Sequence, residues 1–286
     1  MATALIILAA GRGTRMNSDT PKVLHKLGGV PLFAHAMAAG QALQPDKTVL
    51  VVGYGGAEVA RTARDLDPTI EIVEQGEQLG TGHAVAQARA ILRDFAGDVV
   101  VLYGDTPFVQ RETLQQMAQQ RADHDLVVLG FEAGDAGGYG RLVMAENRLL
   151  RIVEAAACKD EERAITFCNS GILMAPCGVL FDLIDDTTKQ KNNQIYLTDA
   201  VEVANDRGLS ATAIACAEAE TLGINSRAQL VEAEAVFQAR ARRAAIQNGV
   251  SLSAPETVFL SLDTVLGRDV TVEPNVCFGP GVSVET

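Results

Sequence analysis

The chain contains no tryptophan, and its aromatic residues amount to only 5 %. Aliphatic side chains must therefore fill the interior. At 48 % hydrophobic content over 286 residues there are enough of them to build a large core, which excludes a disordered chain. Positive charge is also scarce: 24 lysines and arginines stand against 36 aspartates and glutamates, a net charge of -12. So acidic a surface repels phosphate backbones and anionic headgroups, so the expected partner is a small molecule, with no nucleic acid and no membrane. No apolar run approaches the ~20 residues that span a bilayer. Met1-Ala2-Thr3-Ala4 places no cation ahead of the first apolar stretch, which argues against a secretory signal and for a cytoplasmic protein. Cys-x-x-Cys pairs are missing too. The five cysteines (Cys158, Cys168, Cys177, Cys216, Cys277) fit reduced thiols, and His25, His35, His83 and His124 lack the spacing of a zinc site.

What the chain does have is an alternation of apolar runs and alanine-rich stretches. The runs Ala4 to Leu8, Thr48 to Val52, Ile70 to Val73, Asp98 to Tyr103 and Leu126 to Gly130 read as strands, while Leu32 to Leu43 and Gly82 to Leu92 have helical character. This predicts an α/β fold with a Rossmann-like, mostly parallel sheet and helices on both faces. After Gly130 the pieces shorten (Gly140 to Met144, Leu149 to Glu154, Asn169 to Met174), as expected of a small antiparallel lobe shaping a pocket beside the sheet. Ser226 to Asn248 reads as a helix whose Arg240, Arg242 and Arg243 form a solvated face. From Leu260 an apolar residue returns every sixth position, at Leu266, Val272, Phe278 and Val284. A second track runs through Thr264, Val270, Val276 and Val282. That period predicts the start of a left-handed parallel β-helix, whose open end at Thr286 suggests truncation or burial by partners. The expected organisation is thus a catalytic domain over 1–225, a linker helix over 226–250 and the β-helix start over 251–286.

Directly after the first strand comes Leu8-Ala9-Ala10-Gly11-Arg12-Gly13-Thr14-Arg15-Met16, followed by Pro21-Lys22. Open α/β sheets bind ligands at the carboxyl ends of their strands. Gly11 and Gly13 let backbone N–H groups approach phosphate oxygens, while Arg12, Arg15 and Lys22 can balance their charge. The spacing fits neither a Walker A loop nor a dinucleotide loop, which would need a small residue at Met16. Two more segments end apolar strands. Gln75-Gly76-Glu77-Gln78-Leu79-Gly80-Thr81-Gly82-His83-Ala84 offers carboxamides and close backbone approach, suited either to a nucleobase edge or to an ordinary helix start. Leu102-Tyr103-Gly104-Asp105 puts a carboxylate among the phosphates gathered by the first loop, as a magnesium ligand would be. Asn225 is the candidate for a second metal oxygen, or else the N-cap of the helix that follows.

Together these residues resemble the sugar-phosphate nucleotidylyltransferases from Ala4 to about Asn225, and most of all those acting on N-acetylglucosamine 1-phosphate, whose chains continue into a hexapeptide β-helix. The first loop with Pro21-Lys22 marks the broad superfamily. Glu77 to Ala84, Tyr103-Gly104-Asp105 and Gly138-Tyr139-Gly140-Arg141 are more specific. The resemblance implies uridine contacts from Gln75, Gln78, Gly80 and Thr81, and phosphate contacts from Gly11, Arg15 and Lys22. It also implies amino-sugar contacts from Gly140, Glu154, Asn169 and Thr198, with Mg2+ on Asp105 and Asn225. Leu8, Ala9, Ala10, Gly13, Tyr103 and Gly104 complete the implied substrate site, and Arg15, Lys22 and Asp105 its catalytic set. The implied reaction joins UTP and N-acetylglucosamine 1-phosphate into UDP-N-acetylglucosamine, a cell-wall precursor, with release of pyrophosphate. The implied assembly is a homotrimer through the β-helix. Two further expectations stand beside this one: the front part of a bifunctional enzyme whose β-helix carries acetyl transfer, or a low-activity or inactive sugar-nucleotide-binding module on the same scaffold.

The chain departs from the family pattern twice. A Glu-x-Lys-Asp sequence is replaced by Glu154-Ala155-Ala156-Ala157-Cys158-Lys159-Asp160, so the expected cation is Ala156. A Gly-Glu pair is replaced by Asn193-Gln194 ahead of Ile195-Tyr196-Leu197-Thr198-Asp199. These changes predict lower activity, a shifted sugar, or compensation by Lys159.

Overall fold

The structure, a computed structural model, describes residues 2–190 and 194–286. Its first strand, β1 (Thr3–Ala9), is buried along its whole length. A hairpin of β2 (Lys26–Leu27) and β3 (Val30–Pro31) precedes α1 (Leu32–Gly40). The units β4 (Lys47–Val52), α2 (Gly56–Leu66), β5 (Glu71–Glu74), α3 (Thr81–Ala86), β6 (Asp98–Tyr103), α4 (Arg111–Arg121) and β7 (Leu126–Glu132) follow. The chain then forms the antiparallel pair β8 (Arg141–Ala145) and β9 (Arg148–Val153), α5 (Asp160–Arg163), β10 (Phe167–Pro176), α6 (Cys177–Gln190), α7 (Asp199–Asp206) and β11 (Ala211–Cys216).

The main sheet runs β11-β7-β10-β6-β1-β4-β5, with the β8–β9 hairpin attached to β10. Pairings β1–β4, β1–β6, β4–β5 and β7–β11 are parallel, and β10 is antiparallel to both β6 and β7. The fold is therefore a mixed α/β, Rossmann-like sheet that is mostly parallel. Alternate residues of β1 serve opposite cores: Ala4, Ile6 and Leu8 join Ala84 of α3, Phe181 of α6 and Val201 of α7. Leu5, Ile7 and Ala9 join Phe33 of α1, Val59 of α2 and Leu114 of α4. Helices on both faces keep water from the strand, which is why its sequence is apolar at every position rather than at every second one.

One expectation needs correcting. Asn169 to Met174 is antiparallel, as expected, but it belongs to β10 in the middle of the main sheet rather than to a side lobe. Its register breaks between Asn169 and Leu173, where Gly171 takes a φ of +90°. A chain that returns through a sheet between two parallel strands leaves no local signature of its neighbours, because strand order is set by packing elsewhere.

Beyond β11 runs α8 (Arg227–Gln247), followed by β12 (Ser251–Leu252), β13 (Val265–Leu266), β14 (Thr271–Val272) and β15 (Ser283–Val284). β12 pairs with β14 and β13 with β15, both parallel, and Phe259 bridges Cys277 in the same sense. Leu260 and Val272 are buried, with Leu266, Val270, Val276 and Phe278 packed against them and against Ala241 and Ala245 of α8. The arginines of α8 are not simply a solvated face. Arg242 Nη1 donates to the Val258 carbonyl at 3.2 Å, and the Arg240 guanidinium lies 4.9 Å from the Phe108 ring centre. Only Arg243 is left on the exposed side without such a contact among these three. Among the described residues no helix is long and apolar enough to cross a membrane, and the five cysteines are free thiols.

Candidate active site

Parallel register brings three strand ends to one edge. Leu8 of β1 is level with Val51 of β4 and Tyr103 of β6, and Val52 is level with Glu74 of β5. The loops that follow must then share one space, a cavity of about 310 Å³. Leu8, Ala9, Ala10, Gly11 and Lys22 line it together with Gln75, Gln78, Gly80, Thr81, Tyr103 and Asp105. Gly104 lies just behind, buried, its N–H donating to the Leu8 carbonyl at 2.9 Å. Gly13 adopts φ +64°, and a Cβ there would come within 2.5 Å of Lys22 Cβ, so the missing side chain is what lets Lys22 fold over the loop. Arg12 turns instead to the Tyr54 ring, 5.3 Å from its centre. Arg15 is exposed on the short turn Thr14–Met16, away from the cavity lining.

Backbone closes the far side of the Gln75 segment. Gly80 has φ +105°, and a Cβ there would meet the Ile195 carbonyl oxygen at 2.4 Å. The Gly82 N–H donates to that same oxygen at 2.8 Å, and the Ile195 N–H donates to the Leu79 carbonyl at 2.8 Å. Thr81 Oγ1 then accepts from the Leu197 N–H at 3.0 Å. Gln75 is buried and donates to the Gly80 carbonyl at 3.1 Å, whereas Gln78 donates to the Ala10 carbonyl at 2.9 Å and so ties the two loops together.

At the mouth of the first loop the Lys22 ammonium forms an ion pair with Asp105 and donates to Asn225 Oδ1 at 3.1 Å. Both side chains of the ion pair are largely shielded, 11 % and 20 % exposed. The N-cap of α8 is Ser226, whose hydroxyl accepts from the Gln229 N–H at 3.2 Å, so Asn225 is not the cap and its amide oxygen faces the cation. The Ile224 N–H donates to the Asp105 carbonyl at 2.9 Å, which fixes the two segments side by side. Two hard oxygens thus converge on one positive centre, a donor set that suits a small divalent cation keeping several waters. Among the described residues no group of three or more His, Cys, Asp or Glu could hold a metal alone.

The residues linked to an amino sugar by resemblance also meet. A Cβ on Gly140 would lie 3.7 Å from both Asn169 Cβ and Glu154 Oε2, and the Asn169 N–H donates to the Gly140 carbonyl at 2.8 Å. Thr198 Oγ1 donates to Glu154 Oε1 at 3.1 Å. This cluster adjoins the main cavity through Tyr103, against whose ring Gly171 packs so tightly that a Cβ would sit 2.7 Å away. Burial, and then the negative charge of Asp105, push the Tyr103 phenol well above its ordinary pKa, so it stays a neutral donor. Of the departures, Ala156 is exposed near Glu154, Gln194 lines the cavity, and Asn193 lies outside the described residues. Lys159 is exposed at the start of α5, its backbone N–H held by Glu162 Oε2 at 2.8 Å.

Three further lining residues have no ligand role in the sequence reading. Val23, Ala84 and Tyr196 shape the cavity wall, and Tyr196 hydrogen-bonds Gln194. Arg141, from the Gly-Tyr-Gly-Arg motif, is buried and donates to the carbonyls of Ala136 and Tyr139, so its part is to clasp the preceding loop. Burial, and then Glu220, push Cys216 up to about 12, and burial also raises Cys168 and Cys177.

Comparison with known proteins agrees with this geometry. A family model described as the MobA-like NTP transferase domain matches residues 5–170, more than half of the chain, and the chain belongs to that family. The Bifunctional protein GlmU of Cereibacter sphaeroides is 58 % identical over 266 residues, covering 93 % of this chain and 59 % of that protein. The Bifunctional protein GlmU of a Jannaschia species is 54 % identical over 284 residues, 99 % of this chain and 63 % of its own length. The chain therefore spans about three fifths of the curated relatives it matches. The crystal structure of apo UDP-glucose pyrophosphorylase superposes with a TM-score of 0.65 at 17 % identity, covering 84 % of this chain and 100 % of that one, a likeness of fold.

Proposed function

We propose that this chain transfers a uridylyl group from UTP to N-acetylglucosamine 1-phosphate, giving UDP-N-acetylglucosamine, a cell-wall precursor, and pyrophosphate. The observation that carries the reading is the Lys22 ammonium held between Asp105 and Asn225 at the mouth of a glycine loop, because that is where a triphosphate needs charge. In this reading the sugar phosphate oxygen attacks the α-phosphorus in line, and the protein's work is placement and neutralisation rather than covalent catalysis. The loop from Leu8 to Gly13 receives the phosphates, Lys22 and the exposed Arg15 follow the departing pyrophosphate, and Gln75, Gly80 and Thr81 hold the uridine. Glu154, Thr198, Asn169 and Gly140 orient the amino sugar so that its phosphate enters past Tyr103. Asp105 and Asn225 would hold Mg2+, which supplies charge withdrawal from the phosphates.

The relatives named Bifunctional protein GlmU are the support for this particular substrate pair. The parallel pairings of the tail, with Val265 opposite Ser283 and Phe259 opposite Cys277, each eighteen positions on, support the start of a left-handed β-helix of three hexads per coil. A cytoplasmic homotrimer assembled through such a helix belongs to the same proposal. The test is pyrophosphate release over UTP, CTP, ATP and GTP with a set of sugar 1-phosphates, with and without Mg2+. Release confined to UTP with N-acetylglucosamine 1-phosphate, and dependent on Mg2+, is expected. Another preferred pair, or tight UDP-sugar binding without turnover, would overturn it.

A further inference from the structure

His83 is the one histidine in the cavity's first layer of support, and neither the loop nor the cation cluster explains it. Gln75 Nε2 lies 3.1 Å from the Gly80 carbonyl oxygen and 3.1 Å from His83 Nδ1. A carbonyl can only accept, so the Gly80 contact identifies the nitrogen end of the carboxamide. Its second hydrogen then points at His83, which must present a bare Nδ1 and carry its proton on Nε2. Gln87 Nε2 is 3.1 Å from His83 Nε2 and 3.0 Å from the His83 carbonyl oxygen. A neutral ring has one bare nitrogen, so one of the two carboxamides must give way, and the less buried Gln87 is the one with room to turn its oxygen to the Nε2 proton. Gln75 is 5 % exposed, and its deeper burial between the Gly80 carbonyl and His83 Nδ1 is what holds its carboxamide in one orientation.

We infer that His83 is a positioning residue that fixes the Gln75 carboxamide with its oxygen toward the ligand, and thereby sets the preference for uracil over cytosine. The inference rests on the uridylyl-transfer reading. Uracil offers an N3–H between two carbonyls, which an acceptor oxygen complements. Cytosine offers a bare N3 beside an amino group, which that oxygen repels. Reversal of the carboxamide would invert the preference, and it is resisted because the carboxamide oxygen would then face both the Gly80 carbonyl and the bare Nδ1 of this tautomer. The contact is made across the first turn of α3, where Gly80 and Gly82 are held by Ile195, so the imidazole rests on a rigid base.

The test compares dissociation constants for UTP and CTP, by calorimetry with Mg2+ present, in the whole chain and in three variants. His83→Phe keeps the ring shape and removes the acceptor, His83→Ala asks the same question if phenylalanine does not pack, and His83→Asn returns an oxygen near the Nδ1 position. The UTP-to-CTP preference should fall about tenfold in His83→Phe or His83→Ala and recover at least half of that loss, on a logarithmic scale, in His83→Asn. An unchanged ratio with both nucleotides weakened equally would reduce His83 to packing and overturn the inference. So would an asparagine variant no better than phenylalanine. A wild type that binds UTP and CTP alike would overturn the uridine reading itself, whereas a discriminating wild type with a ratio insensitive to His83 would overturn this inference alone.

Discussion

The Gln75 side of the cavity is hung from three parallel strand ends and locked by backbone hydrogen bonds, whereas the Glu154 side consists of a hairpin, a bulged antiparallel strand and a returning segment tied through side chains. On the first side, Gly80, Gly82 and Gly13 stand where any Cβ would strike Ile195 or Lys22. On the second, Thr198 reaches Glu154 through its hydroxyl, and the neighbouring departure from the family pattern at Ala156 is a side-chain change at an exposed position. A wall made of backbone tolerates little substitution because each change moves the chain itself. A wall made of side chains can alter its contacts and leave the frame in place. The Gln75 half is therefore the fixed part of this site and the Glu154 half the adjustable one.

Substitutions can break or sharpen that contrast. The largest effect belongs to Asp105→Asn, which keeps the shape but removes the charge that pairs with Lys22. Pyrophosphate release should fall by about 10²- to 10³-fold in kcat/KM, measured by a coupled assay. Gly80→Ala comes next, because it combines a positive φ with a collision against Ile195. Strain of about 1–3 kcal/mol should lower the melting temperature by roughly 2–6 °C and weaken UTP binding about tenfold, read by calorimetry. Thr198→Val should raise KM for the sugar phosphate by roughly five- to tenfold and leave the UTP dissociation constant unchanged, which isolates the two walls from each other. Smallest of all, Ala156→Lys should lower that KM about two- to threefold, since an exposed cation contributes little in water.

The same contrast decides how much of the molecule the sequence discloses. β1, β4 and β6 are legible because burial on both faces forces an unbroken apolar run, and the loops after them because glycine and charge cluster where a strand stops. Asp105 and Lys22 were both indicated by that local logic, and the fold brings them into contact. The insertion of β10 between β6 and β7 is not legible, since nothing in Phe167–Pro176 encodes which strands will flank it. Nor is the seam between Gly80 and Ile195, a backbone contact between segments far apart in the chain. Nor is the part played by Arg141, which the motif does not disclose: it holds its own loop through the Ala136 and Tyr139 carbonyls. In the tail, the packing of Leu260, Leu266, Val272 and Phe278 is legible from their spacing, but the docking of Gly28 is not. Its carbonyl accepts from Ser261 Oγ at 3.0 Å, and its N–H donates to Glu234 Oε2 at 2.9 Å.

In the proposed reaction Asp105, Asn225 and Lys22 form a single charge centre for a metal-bound triphosphate. Electron paramagnetic resonance of Mn2+ titrated into the protein with saturating UTP tests this most directly. The wild type should bind the ion in a ternary complex whose affinity falls at least about tenfold in Asp105→Asn. Equal Mn2+ affinity in the two proteins would contradict the account.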